Sequence, residues 1–145
     1  MTDIAVTIPR NRWQEFCLEP CAGGALRSYR LYGEWPPLVT GDFLFFVSHR
    51  RLRCAIEVER LVRHRGGCLV TGFFRPGITV KDDIAGFQGW RRVNFAPHEL
   101  LAFAGWRRDG VTNFASRLSH LGPTPEPLPP YAHGKDRSQQ GGSSA

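Results

Sequence analysis

The chain is poor in lysine. Of its nineteen basic residues only Lys81 and Lys135 are lysine; the rest are arginine, and the net charge is +6. A site built on a lysine amine would therefore have to use Lys81. Long apolar runs are missing as well. No stretch of about 18 apolar residues occurs, which excludes a helical membrane span, so no membrane partner is expected. The opening MTDIAVTIPR lacks the charged-then-apolar pattern of a secretory signal, and the expected location is the cytoplasm.

Cysteine is scarce and unpatterned. Cys54 and Cys68 fall in β-prone stretches and read as small buried hydrophobes. Cys17 and Cys21 are spaced C-x3-C without a matching second pair. The five histidines, 49, 64, 98, 120 and 133, show no ligand spacing, so no metal is expected. Walker, Rossmann and G-x-S-x-G patterns are absent. That leaves no motif for a phosphate-cradling loop, a dinucleotide cofactor or a serine nucleophile; no cofactor is expected and no catalytic residue is named.

What the chain does have is arginine together with ten phenylalanines and four tryptophans. Guanidinium groups fork onto phosphates and stack on bases and rings, so the mixture suits nucleic acid, RNA or DNA. A coding bias toward arginine would produce the same balance without any such partner.

The length suits one domain with one core. Its centre of organisation is GDFLFFVSHRRLRCAIEVERLVRHRGGCLVT, residues 41–71. Strands are expected over 43–47, 52–62 and 68–71, joined by turns at Ser48-His49-Arg50-Arg51 and His64-Arg65-Gly66-Gly67. In the middle strand Cys54, Ile56 and Val58 alternate with Ala55, Glu57 and Glu59. This period of two predicts one dry face and one wet face. A meander of this kind must close against something.

The flanking sequence supplies candidates. A short strand over 4–8 precedes a helix with Asn11 at its N-cap and Trp13, Phe16 and Cys17 on one face, ending before Pro20; it would sit as a lid on the sheet. Leu26 to Tyr32 reads as a strand whose faces are poorly sorted. Short extended pieces follow at 78–81 and 90–95, and short helices are expected over 98–104 and 112–121. From Gly122 the sequence turns proline-rich and then glycine- and serine-rich. The expected organisation is one domain over 1–121 and a tail over 122–145. The expected fold class is α+β: a small, partly open β-barrel of five to seven strands with flanking short helices.

Three segments carry a family resemblance over roughly residues 26–96: Gly41-Asp42 before Phe43-Leu44-Phe45-Phe46-Val47, the strand Leu52-Arg53-Cys54-Ala55-Ile56-Glu57-Val58, and Gly86-Phe87-Gln88-Gly89-Trp90-Arg91-Arg92. In these the chain resembles the PUA-like superfamily, which includes the ASCH and EVE domains, and in particular short phage- or prophage-type ASCH-like proteins. The signature G-x-K-x-x-E-x-R of ASCH domains is not present, and no catalytic residue carries over. The resemblance implies a five- or six-stranded pseudobarrel that binds RNA or reads a modified base in DNA. A few members act as small hydrolases or nucleases.

The candidate nucleic-acid-binding residues begin with Trp90, Arg91 and Arg92, an aromatic beside two guanidiniums that can stack on a base and pair a phosphate. In a strand Trp90 and Arg92 share a face and Arg91 opposes them. Gln88, between two glycines, can offer donor and acceptor to a base edge. Phe74-Arg75 is a second aromatic–cation pair. Trp35 in a proline-stiffened loop and Tyr29 are candidate pocket walls, and Arg53 belongs to a basic hairpin that could touch a phosphate backbone. Core packing for the aromatics, and a solvated strand face for the arginines, are the competing assignments. Two other functions fit the sequence. One is a small hydrolase or nuclease acting on a nucleoside or RNA, which would need a histidine or a lysine, in that case Lys81, beside a carboxylate. The other is a phage-type protein whose partner is a host defence protein.

Overall fold

The computed structural model describes residues 2–18, 23–108 and 126–127. Its principal element is a six-stranded sheet. In chain order its strands are β1 (Asp3–Thr7), β2 (Leu26–Tyr32), β3 (Phe43–Ser48), β4 (Arg51–His64), β5 (Gly67–Pro76) and β7 (Trp90–Val93), arranged β2-β5-β4-β3-β1-β7. The expected meander is its centre, β3-β4-β5. The sheet curls into a half-barrel. β1 and β3 run parallel, with Ile4 opposite Leu44; the other neighbours are antiparallel.

Both expected turns form. His49 and Arg50 take φ of 52° and 62°, and Arg65 and Gly66 take 46° and 73°. Two consecutive left-handed residues make the two-residue hairpin loop whose twist matches that of paired strands. In the His49–Arg50 loop both residues carry a side chain, so the turn is held against local preference by the strands on either side.

Of the face expected to be wet on the middle strand, Glu59 is exposed but Ala55 and Glu57 are buried. Ile4, Phe46, Cys54, Ile56 and Phe74 pack into one core, while Phe43, Phe45, Val47, Leu52 and Ala55 pack into a second core on the other side. Glu57 is itself buried. The strand has a two-residue apolar repeat on both faces because the chain returns over the second face as well. There Leu100 joins the buried set, with Phe87, Val93 and Phe95 packed against it.

A β-bulge explains how Leu52 and Cys54 serve different cores. Val47 pairs with Leu52 and Phe46 with Cys54, leaving Arg53 as the extra residue. One extra residue reverses the parity of everything beyond it. A second irregularity leaves Glu59 unpaired between Val58–Gly72 and Arg60–Thr71. Here the strands run so close that a Cβ on Gly72 would overlap the backbone oxygen of Glu57.

Helix α1 (Arg10–Leu18) covers the concave core as the expected lid. Nine residues are too few for a stable isolated helix. Packing holds it: Trp13 is fully buried, stacked on Phe16 at 5.4 Å and edge-on to Trp106 at 6.0 Å. Asn11 lies inside this helix rather than at its cap, since Pro9 sits before Arg10 and its carbonyl accepts from Arg12 N.

The region after Pro97 departs from expectation. In place of a helix over 98–104, a 3-10 turn (Pro97–Glu99) leads into β8 (Leu101–Ala102). Proline at the first position starts a turn, and Ala102 then pairs with Ile78 of β6 (Ile78–Thr79), so β6 is shorter than the expected 78–81 piece. β8 also pairs with β9 (Glu126–Pro127), giving a second sheet ordered β6-β8-β9. Likewise β5 runs on past the expected end at Thr71, through Phe73, Phe74 and Arg75 to Pro76. The described residues are mostly β, consistent with the expected small, partly open barrel; α1 is their sole α-helix, and no helix among them is long and apolar enough to cross a membrane. The helix expected over 112–121, and the tail apart from 126–127, lie outside the described residues.

Candidate functional site

The two edge strands of the half-barrel, β2 and β7, approach each other on its concave side. A groove lies along this open seam and has two lobes. The larger, about 390 Å³, is lined by Arg12, Glu15 and Phe16 of α1 and by Arg27, Tyr29 and Arg30 of β2, with Ile8, Pro9, Ser28, Tyr32 and Leu69 completing it. The smaller, about 230 Å³, lies between β2 and the start of β7 and is lined by Val6, Leu31, Gly89 and Trp90. Tyr29, Arg30 and Tyr32 border both.

The edge position of β2 makes this possible. Its Tyr32 lies opposite Gly67 and its Leu26 opposite Phe73 on β5, and no strand among the described residues pairs with its other side. Side chains from both faces of β2 can therefore reach round to one groove. Arg27 is only 7% exposed. Its guanidinium lies 3.7 Å from the Phe16 ring centroid and donates to Phe16 O at 2.8 Å. Stacking and a backbone acceptor together fix a buried cation that burial alone would expel. Arg30 donates from Nη1 to Tyr32 Oη at 3.0 Å, while its Nε is shut away from solvent without an acceptor. Arg12 makes no side-chain hydrogen bond or ion pair among the described residues.

Aromatic rings floor the groove. Tyr29 is edge-on to Phe46 at 4.9 Å and to Phe16 at 6.4 Å. Burial pushes the Tyr29 phenol above its ordinary pKa, the Arg12 charge pulls against that shift, and Tyr32 adds to it. Trp90 spans the seam, its Nε1 donating to Glu34 O at 3.2 Å. Among the described residues, Glu15 is the one carboxylate in either lobe's lining.

Of the residues named from sequence, Trp90 and Tyr29 meet here. The others do not. Gln88 is exposed and outside both linings. Arg91 opposes Trp90 across β7, with its guanidinium 4.3 Å from the Phe87 ring, and Arg92 is exposed beyond the groove. Trp35 is 44% exposed, with Arg63 at 5.1 Å from its ring. Arg75 lies on the other face of the sheet, donating to Glu57 Oε1 at 2.7 Å.

Two candidates are corrected by their burial. Phe74 is a core residue, edge-on to Trp106 at 5.7 Å. Arg53 is 0% exposed; Nε donates to Ser48 O at 2.6 Å and Nη1 to Trp106 O at 2.8 Å. The bulge turns it inward, and it ties the β3–β4 hairpin to the segment around Trp106 rather than reaching a phosphate. Asp42 is likewise a turn residue, accepting from Val39 N at 3.0 Å. Lys81 is exposed and outside both lobes, which removes the lysine-based hydrolase in this groove.

Sequence reasoning missed Arg12, Arg27, Arg30 and Tyr32. The available signal was β2 itself, RSYR with arginines on both faces. A strand with unsorted faces is what an edge strand beside a groove looks like. No family model, no curated protein and no solved structure matches the chain.

Proposed function

We propose that the protein binds single-stranded nucleic acid, RNA or DNA, along the seam between β2 and β7. The observation that carries this is the lining itself: among the described residues, Arg12, Arg27 and Arg30 meet Phe16, Tyr29, Tyr32 and Trp90 in one groove with a single carboxylate. Cations take the backbone and rings take bases, which is the combination used by single-strand binders. The arginines differ from those expected from sequence, but the chemistry is the same. A likeness to the PUA-like superfamily belongs to the same reading, supported by the curled, mostly β half-barrel.

Fluorescence anisotropy with labelled single-stranded RNA, single-stranded DNA and duplex DNA over a salt series tests it. The expected result is binding to a single strand that weakens steeply with salt, with a log–log slope of about −0.7 per phosphate neutralised. Arg30→Ala and Tyr32→Ala each weaken it by about tenfold or more. Both side chains are at least partly exposed, so the variants should fold. No binding at low salt overturns the proposal.

A further inference from the structure

The backbone of β2 is open as well as its side chains. Arg27, Ser28, Tyr29, Arg30 and Tyr32 all line the larger lobe. Arg27 and Tyr29 lie on one face of the strand, and Ser28, Arg30 and Tyr32 on the other. One opening is lined from both faces only where it wraps round the strand's edge. No strand among the described residues pairs with that edge, and the Trp90 bridge attaches at Glu34, beyond the end of β2.

The start of the strand sets the direction of its free groups. Gly24, at φ 82°, donates from N to Phe74 O, and Phe74 N donates to Ala25 O, both at 2.8 Å. After this bulge the pairing with β5 runs without a shift to Tyr32. Ala25 turns its carbonyl to β5, so by alternation Leu26, Ser28, Arg30 and Tyr32 turn N–H and C=O to the open edge. Natural edges are commonly blunted by shortness, proline, lysine or a bulge. β7, at the other end of the sheet, is four residues long. β2 is seven residues long and has neither proline nor lysine. Its arginines are drawn back along their own chain, Arg27 to Phe16 O at 2.8 Å and Arg30 to Tyr32 Oη at 3.0 Å.

The side chains on the outer face indicate what pairs there. Leu26 and Tyr32 stand at the two ends of β2, on the same face, and are 59% and 65% exposed. Two antiparallel copies of this strand, related by a two-fold axis at Tyr29, place Leu26 opposite the partner's Tyr32 and Ser28 opposite the partner's Arg30. In this register outward backbone groups meet outward backbone groups along the whole strand. Both exposed apolar side chains become cross-strand pairs, and no arginine stands opposite another. A shift of two residues either way would leave one of them without its pair.

We infer that β2 pairs edge to edge with β2 of a second copy, antiparallel about Tyr29, so that two half-barrels share one continuous sheet. This does not rest on the nucleic-acid reading. A single pair of seven-residue strands is smaller than a standard interface, so the dimer is weak and concentration-dependent. Each copy carries a net charge of +6, so salt strengthens the dimer, the reverse of its effect on a nucleic-acid complex.

Sedimentation equilibrium of the full chain, up to about millimolar concentration, tests association. The expected mass rises from one chain toward two, more so at high salt. Ser28→Pro removes an outward N–H without breaking a bond to β5, and should weaken association at least tenfold in a chain shown to be folded by near-ultraviolet circular dichroism. Cross-linking tests the register. Leu26→Cys chains, carrying a tag, are mixed with Tyr32→Cys chains and mildly oxidised. The paired positions have Cα atoms about 5.5 Å apart, within disulfide reach, whereas each position lies roughly 20 Å from its own copy in the partner. The mixture should form a tagged–untagged disulfide dimer, with each variant alone at the wild-type background. A wild-type mass that stays at one chain overturns the proposal and leaves the edge to another occupant. So does a mixture that cross-links no better than the separate variants, or a folded Ser28→Pro chain that associates like the wild type.

Discussion

Trp90 Nε1 donates to the backbone oxygen of Glu34 across 3.2 Å, joining the strand at one edge of the sheet to the loop that leaves the strand at the other. It is a bridge over the open side of a half-barrel. Trp90→Phe keeps a ring but removes the donor. It should cost about 1 kcal/mol, the net worth of one hydrogen bond, read as a modest fall in the urea midpoint. Single-strand affinity should fall further than stability does, because the indole also walls the smaller lobe. Unchanged affinity in a folded variant would remove Trp90 from the site.

Arg75 and Glu57 form a pair on the face away from the groove, with side chains 29% and 10% exposed. Arg75→Ala strands a largely buried carboxylate. The expected loss is about 2 kcal/mol, below the range for fully enclosed pairs because Arg75 retains some solvent. Nucleic-acid affinity should stay within twofold of wild type. A folded Arg75→Ala protein with tenfold weaker binding would place phosphate contacts on that face instead.

For Arg53 the expected penalty is larger. Arg53→Met preserves the aliphatic stem but leaves Ser48 O and Trp106 O without their buried donor. A loss of about 3 kcal/mol follows from two orphaned acceptors, measurable as a depressed melting temperature. Arg53→Lys should recover only part of it, since an ammonium cannot serve both carbonyls with the geometry of a fork.

The Tyr29 phenol supplies a test in alkali. Burial raises its pKa in the folded protein above the ordinary value of 10. Above pH 10 the unfolded chain loses this proton while the folded chain keeps it. The stabilisation that burial of the neutral phenol allows is therefore complete below pH 10 and is lost as pH climbs toward the raised value. Tyr29→Phe has no proton to lose there. Between pH 9 and 11 its stability should decline less than that of the wild type, in parallel urea titrations.

The meander, both hairpin turns, the lid helix and the range of strand β2 were legible because each depends on local signals: alternation, turn residues and a one-faced aromatic stripe. The second core was not. Ala55 and Glu57 read as an outer face until residues near Leu100, far along the chain, return to cover it. Nor could the inward turn of Arg53 be read, since a bulge leaves no mark in a single strand's sequence. The groove was half legible. Trp90 and Tyr29 were found by residue type, but Arg12 and Arg30 join them only because the sheet curls until its edges face one another.

The pairing of β1 sets the order in which this protein can be assembled. Ile4 lies between Leu44 on one side and Arg92 on the other. Its neighbours are thus made 40 and 88 residues after it. During synthesis at about 5–20 residues per second, this first strand must wait several seconds, unpaired, for its partners to exist. The hairpins of β3, β4 and β5 close locally in the meantime. One side of β1 can be seated on β3 early, but its other side, and the groove beside it, cannot form until Trp90 to Val93 have been made.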